Sequence, residues 1–282
     1  MKLLRVGPAG AERPVVLAPD GTARDLRPLT PDLDGAFLAG FDPAALDPAA
    51  LAALPPTDLT GERVGPPVAR PGKIVGIGLN YRDHAAEAGA AIPAEPVVFL
   101  KPVNTLVGPG DQVLVPRGSE KTDYEVELAV VIGRTGRYLD TPADAAAIIA
   151  GYAAANDVTE RAFQFDRGGQ WDKGKSAETF TPLGPWLVTP DELGDPQALD
   201  LRLWVNGELR QNGSTADMIF PVHETVRYLT HFMRLDPGDI VITGTPAGVT
   251  LGRPGTPFLR AGDKLTLEVT GLGRQETTLG QA

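Results

Sequence analysis

From residue 70 onward, apolar residues come in short runs separated by Gly and Pro, a rhythm that predicts strands. Residues 74–77, 96–100, 112–115, 125–132, 186–188, 201–205, 239–243 and 264–269 read as strands. Helical periodicity is confined to a few places. Thr141-Pro142 starts a helix expected to run to about Ala155, with Ala145, Ile148, Ile149 and Tyr152 on one face. A second is expected over about 221–234, with the stripe Val222, Val226, Leu229 and Met233. Many strands, few helices and no strand–helix alternation predict an α+β, mostly β architecture.

The first 65 residues read as a separate small β-rich unit. Two strand-like runs, 2–6 and 14–18, precede the hairpin dipeptide Asp20-Gly21. Asp42-Pro43 and Asp47-Pro48 then each start a short helical turn, with Asp as the cap and Pro at the first helical position. Pro66-Pro67 and Pro71-Gly72 mark a linker, so the expected division is residues 1–65 and 66–282.

A length of 282 residues supports a sizeable core. The formal net charge of −10 argues against nucleic acid or an anionic membrane surface as partner. It leaves room for a small anionic substrate, because one buried cation reverses the local sign. The absence of cysteine excludes disulfides and thiolate chemistry and makes the cytoplasm the simplest expected location. The apolar run in Met1–Pro8 is too short for a signal peptide, and no apolar run is long enough to cross a bilayer.

The chemistry concentrates on the strand Tyr124-Glu125-Val126-Glu127-Leu128-Ala129-Val130-Val131-Ile132. Residues two apart on a strand share a face, so Glu125 and Glu127 project side by side. Both faces of this strand are otherwise apolar, the mark of a strand buried on both sides. Two adjacent carboxylates there repel and lose hydration unless something positive offsets them. Alternatively, this end of the strand emerges into solvent. Asp157, expected just beyond a helix end, supplies a third acid; with no Cys and only three His, an all-oxygen site selects a hard ion, Mg²⁺, Mn²⁺ or Ca²⁺.

Four motifs carry a resemblance: Gly76-Ile77-Gly78-Leu79-Asn80-Tyr81-Arg82-Asp83-His84, Phe99-Leu100-Lys101-Pro102, Asp123 to Leu128, and Thr243-Gly244-Thr245-Pro246-Ala247-Gly248-Val249. Together, in this order over about residues 70–280, they resemble the fumarylacetoacetate hydrolase family. The segments 159–164, 169–176 and 179–186 are similar to the subgroup of 2,4-diketo-3-deoxy-L-fuconate and L-rhamnonate hydrolases and ureidoglycolate lyases. The resemblance implies a mixed β-sandwich roll with a small N-terminal domain, and a homodimer. It assigns Glu125, Glu127 and Asp157 as ligands of Mg²⁺ or Mn²⁺, with Ca²⁺ as a substitute. It makes His84 and Glu87 a catalytic dyad and Lys175 a catalytic lysine. It places Tyr81, Gln164, Gly244 and Thr245 at substrate-binding positions. Thr250, where glycine is usual, and Glu178, where aspartate is commoner, depart from the pattern close to the substrate.

The residues themselves say less about these groups. His84 and Glu87 are neighbours only if residues 83–90 are helical. Lys173 is as plausible by position as Lys175, and the three tryptophans read as packing residues. His223 and His231 lie off the apolar stripe and are expected on the solvated surface. Gly76-x-Gly78 lacks the third glycine and the βαβ setting of a dinucleotide fingerprint. The expected activity is hydrolytic C–C cleavage of a 2,4-dioxo acid, an acylpyruvate of the diketo-deoxy sugar acid type, to pyruvate and a carboxylic acid. Its rivals are oxaloacetate decarboxylation or isomerisation or hydration of a 2-oxo acid at the same site, and a non-catalytic β-protein stabilised by Ca²⁺.

Overall fold

The computed structural model describes residues 1–282. Its spine is a ten-stranded sheet whose main path runs Ala23–Asp25, Arg13–Leu17, Lys2–Val6, Leu187–Val188, Ile149–Asn156, Val126–Ile132, Ile240–Ile242, Ile74–Gly78, Val97–Lys101. Neighbours on that path are antiparallel except Ile240–Ile242 with Ile74–Gly78, which is parallel. A five-stranded sheet, in the order Glu208–Ser214, Asp200–Val205, Lys264–Val269, Gly273–Gln281, Val113–Val115, packs against one face. The fold is strand-rich and mixed, with two layers of sheet, as expected of a β-sandwich roll.

Strand Val126–Ile132 shows why the sandwich forms. Every residue in it is buried. Val126, Leu128, Val130 and Ile132 enter the core between the two sheets, beside Leu201, Leu203, Leu265, Leu267 and Val269. Ala129 and Val131 point the other way, into a second core with Leu3, Val16, Leu26, Leu33, Leu38 and Leu51. Period-two alternation therefore feeds two cores at once.

The second core bears on the division at residue 65. Lys2–Val6 pairs directly with Leu187–Val188, so the first strands extend the large sheet rather than forming one of their own. The capped turns at Pro43–Ala45 and Pro48–Ala53, with Asp42 and Asp47 accepting from backbone N–H groups, bring Leu46 and Leu51 onto the same core. The N-terminal segment is one wall of a shared interior.

Two helical expectations are corrected. The helix beginning at Thr141 is closed by a capping box with Asp144 but stops at Ala147; residues Ile149–Asn156 form a strand paired with Val126–Ile132. Alanine favours helix locally, yet Ile148, Ile149 and Gly151 do not. At Gly151 a Cβ would lie 2.4 Å from the Val188 carbonyl oxygen, so glycine there permits the close strand approach. The other helix spans Val222–Leu229, shorter than expected, with Val222, Val226 and Leu229 buried. His223 is half-buried rather than solvated, its Nε2 lying 3.2 Å from the Tyr152 hydroxyl, and burial lowers its pKa. His231 is exposed. No helix is long and apolar enough to cross a membrane.

Deleting residues 1–65 would strip one side from the second core and expose Ala129, Val131, Ile240 and Ile242. The fragment 66–282 is expected to lack a cooperative denaturant transition by circular dichroism. A transition with the full-length midpoint would instead mark the segment as a separable domain.

Candidate active site

The register Val126↔Asn156 sets Glu125 and Asp157 opposite each other where the two central strands end. The Asp157 N–H donates to the Glu125 carbonyl at 2.9 Å, and the Asn156 side chain accepts from the Glu125 N–H at 3.0 Å. Asp157 thus follows a strand, not a helix. Glu127 lies one pleat further in, where its Oε2 accepts the Gly244 N–H at 2.8 Å. Ligand oxygens of Glu125, Glu127 and Asp157 lie within 4.8 Å of one another, and all three residues are buried. The bland alternative of a solvated strand end is thereby excluded.

Three buried cations surround this cluster. Lys175 Nζ donates to Glu125 Oε2 at 2.7 Å and Asp157 Oδ2 at 2.5 Å. Lys101 pairs with the other Asp157 oxygen and donates to the Phe180 carbonyl at 2.9 Å. Arg161 Nη2 forms an ion pair with Glu125 Oε1 at 2.6 Å. Its Nε donates to Asp123 at 2.9 Å and its Nη1 to Gln164 Oε1 at 3.2 Å. Burial pushes the Glu125 pKa up, but the charges of Lys175 and then Arg161 outweigh it and hold it at about 2. Glu127 has no cation of its own. Burial first, then Asp157 and Glu125, raise its pKa well above the carboxylate range. Burial lowers the pKa of Lys101; for Lys175 the same penalty is overcome by Asp157 and Glu125, and its pKa is raised.

The donor set fits a hard divalent ion. It offers three converging carboxylates, one of which burial and its two acidic neighbours push toward the protonated form, and an ammonium spanning the other two. An ion there would be held by Glu125, Glu127 and Asp157 and would release the Glu127 proton.

A cavity of about 240 Å³ opens onto this cluster. His84, Glu125, Glu127, Gln164, Lys175 and Thr245 line it. Residues Arg82–Glu87 are helical, so His84 and Glu87 do become neighbours, with Nδ1 3.4 Å from Glu87 Oε2. Both Glu87 oxygens accept the Gly248 N–H at 3.0 Å, tying the dyad to the loop after the strand Ile240–Ile242. Gly248 has φ +111, and a Cβ there would lie 2.1 Å from the Arg210 carbonyl oxygen. The Thr245 hydroxyl donates to the Val126 carbonyl at 2.9 Å and accepts from Gln211 at 2.7 Å. Gly244 spends its N–H on Glu127 and stands behind the wall. Tyr81 is fully buried in the main core, with an unpartnered hydroxyl, and is not among the cavity-lining residues. Lys173 is exposed and bonds the Arg167 carbonyl, which separates it from Lys175.

Lys101 and Arg161 went unnoticed as site residues in the sequence. Lys101 carried a signal: on the strand Val97–Lys101, Val98 and Leu100 are exposed while Phe99 and Lys101 are buried, so period two turns a lysine inward. Arg161 and Gln164 share a helical face at i,i+3. That spacing alone says nothing of Glu125.

Residues 73–280 match the family model described as fumarylacetoacetate (FAA) hydrolase C-terminal. A Burkholderia lata protein bearing only a provisional hydrolase name is 51% identical over 280 residues, 98% of this chain and 97% of that one. Among solved structures, the Exiguobacterium antarcticum fumarylacetoacetate hydrolase superposes with a TM-score of 0.88 at 35% identity, covering 100% of both chains. The Sphingobium sp. SYK-6 maleylpyruvate hydrolase, in complex with manganese(II) and pyruvate, gives 0.82 at 30% identity over 100% of both. The Mycobacterium smegmatis 5-carboxymethyl-2-hydroxymuconate delta-isomerase gives 0.79 at 31%, covering 100% of this chain and 99% of that one.

Glu127→Gln mimics the protonated acid. A carboxyl whose folded pKa is raised stays protonated after the unfolded chain has ionised, so the ion-free protein loses stability as pH rises above the unfolded value. One proton corresponds to a slope of about 1.4 kcal/mol per pH unit until the folded pKa is passed. In EDTA, the variant is expected to lack this slope and to melt at or above wild type at pH 7. Added Mn²⁺ should raise the melting temperature of wild type only. Equal stabilisation of both would remove Glu127 from the ligand set.

Proposed function

The chain belongs to the fumarylacetoacetate hydrolase family, and from that membership we propose that it is a divalent-metal-dependent enzyme hydrolysing the C3–C4 bond of a 2,4-dioxo acid. One observation carries the reading: His84, Glu125, Glu127 and Lys175 line a single cavity, with Asp157 beside the two glutamates and Glu87 behind His84. The manganese and pyruvate in the maleylpyruvate hydrolase support both the ion and the product. Glu125, Glu127 and Asp157 would hold a hard ion, Mg²⁺ or Mn²⁺, which would supply positive charge to offset that of an anionic 2-oxo acid.

The protein groups do the rest. Glu87 holds the Nδ1 side of His84, which leaves Nε2 to take a proton from water. The water oxygen bonds to C4, and the C3–C4 bond breaks with its electron pair going to C3. The products are a carboxylic acid, which ionises, and the enolate of pyruvate, which accepts the His84 proton at C3. The Lys175 ammonium, fixed at the cavity floor, faces the negative charge as it develops. Thr245 and Gln164 offer polar atoms for orienting the substrate.

A second reading keeps the site and changes the reaction to isomerisation or decarboxylation of a 2-oxo acid. The delta-isomerase on the same fold favours it. The two differ in their need for an attacking water. Purified enzyme with 2,4-dioxopentanoate and Mn²⁺ is expected to release pyruvate, read with lactate dehydrogenase, and to stop in EDTA. His84→Ala should lower kcat by roughly 10²–10⁴-fold, the usual worth of a general base. Faster decarboxylation of oxaloacetate by the wild type than hydrolysis of any 2,4-dioxo acid would favour the second reading. Absent pyruvate from any 2,4-dioxo acid would end the first.

A further inference from the structure

The cavity has two unlike halves. Its floor holds every charged group that lines it apart from His84: Glu125, Glu127, Arg161 and Lys175. Its walls and rim are Ile77, Leu79, Phe99, Phe165, Trp171 and Leu251. Phe165 and Leu251 are each 42% exposed, which places the apolar half at the mouth. A chelating 2-oxo acid puts its carboxylate and 2-oxo oxygen on the floor. The group attached to C4, which leaves as the carboxylic acid, then lies against the apolar half.

This wall is built rather than incidental. Trp171 packs on Phe99 at 6.1 Å between ring centroids and on Phe165 at 6.0 Å. Two glycines make room for the rings. At Gly76 a Cβ would lie 2.1 Å from Phe99 Cζ, and at Gly78 one would lie 2.3 Å from Trp171 Cζ3. Leu79 adds an independent sign. It holds φ +52, a left-handed conformation that suits Gly or Asn, while the residue lines the cavity. A branched apolar residue kept in that conformation at a site marks strain retained for what the side chain does.

No cation lining the cavity is free for a second anionic group. Lys175 is shared by Glu125 and Asp157, and Arg161 is divided among Asp123, Glu125 and Gln164. His84 is engaged by Glu87. Beyond Gln164 and Thr245, the wall offers no side-chain hydroxyl or amide for a polyhydroxylated chain. Resting on the hydrolase reading for its chemistry, we propose that the acyl group released from C4 is a neutral apolar one, alkyl or aryl, rather than a second carboxylate or a sugar-derived chain. This differs from the sugar-acid expectation drawn from residues 159–186.

The test compares 2,4-dioxopentanoate, 2,4-dioxoheptanoate, 2,4-dioxo-4-phenylbutanoate, 5-hydroxy-2,4-dioxohexanoate and 4,6-dioxoheptanedioate with the Mn²⁺-loaded enzyme. Each added methylene is expected to raise kcat/KM about three- to fourfold. The phenyl compound should likewise exceed the pentanoate, and the hydroxylated and dicarboxylic compounds should fall below it. Leu79→Asn, which suits the backbone, should keep or raise the melting temperature yet flatten the alkyl preference. Leu251→Arg should raise the dicarboxylate relative to the heptanoate. Faster cleavage of the hydroxylated or dicarboxylic compound than of the pentanoate by wild type would overturn the proposal, as would unchanged selectivity in Leu79→Asn. Should no compound yield pyruvate, the hydrolase reading falls on its own. The preference is then read by calorimetry with the Mn²⁺-loaded protein: 2-oxohexanoate binding more tightly than 2-oxoglutarate sustains it, and the reverse order sinks it.

Discussion

The structure depends on a buried pairing of acids with bases at the end of two antiparallel strands. Asp123, Glu125 and Asp157 face Lys101, Lys175 and Arg161 in ion pairs almost wholly removed from water. Such pairs contribute little net stability, because lost hydration offsets most of the attraction. Their effect is positional. Removing one partner leaves a charge buried and unmatched, so each group keeps the others in place. Glu127 stands outside this balance: it has no ion pair of its own, and burial with Asp157 and Glu125 raises its pKa. That asymmetry leaves one carboxylate of the cluster without a matching cation.

The two cores explain how so much charge can be buried. Strand Val126–Ile132 is packed on both faces, which fixes where Glu125 and Glu127 sit. The N-terminal segment closes the second core and so supports the acids from behind, although none of its residues lines the cavity. From the opposite side the loop 244–252 adds backbone donors: Gly244 to Glu127, Gly248 to Glu87, and Thr250 and Leu251 to Asp123. Thr250 acts here through its N–H, which any residue but proline supplies.

Around the reacting centre, polarity changes over a few ångströms, from paired charges at the floor to aromatic rings at the mouth. Gly76 and Gly78 belong to this division, since their missing side chains admit Phe99 and Trp171. Lys175 bridges the halves, its Nζ lying 4.8 Å from the Phe99 ring centroid while bonded to two carboxylates.

Much of this was legible in the residues. Period-two alternation located most of the strands, and E-x-E on a strand apolar on both faces, with Asp157 as a third acid, pointed to a compensating cation. Asp–Pro pairs marked the short capped turns, which depend only on neighbours in sequence. The motifs in order carried the family. The segment 149–156 departs from its helical expectation because Ala-rich sequence favours helix locally, while its pairing with Val126–Ile132 is formed by residues 17 to 30 positions apart. Lys101 and Arg161 escaped for a related reason: a lysine or arginine is ordinarily solvated, and only folding brings Lys101 to Asp157 and Arg161 to both Asp123 and Glu125. The chain by itself determined which residues alternate inward and which acids lie side by side, because these follow from backbone geometry over a few positions. Tertiary structure decided which cations answer those acids, which acid is left unanswered and what faces the substrate's far end, because charge balance and cavity shape are set by groups that meet only across the fold.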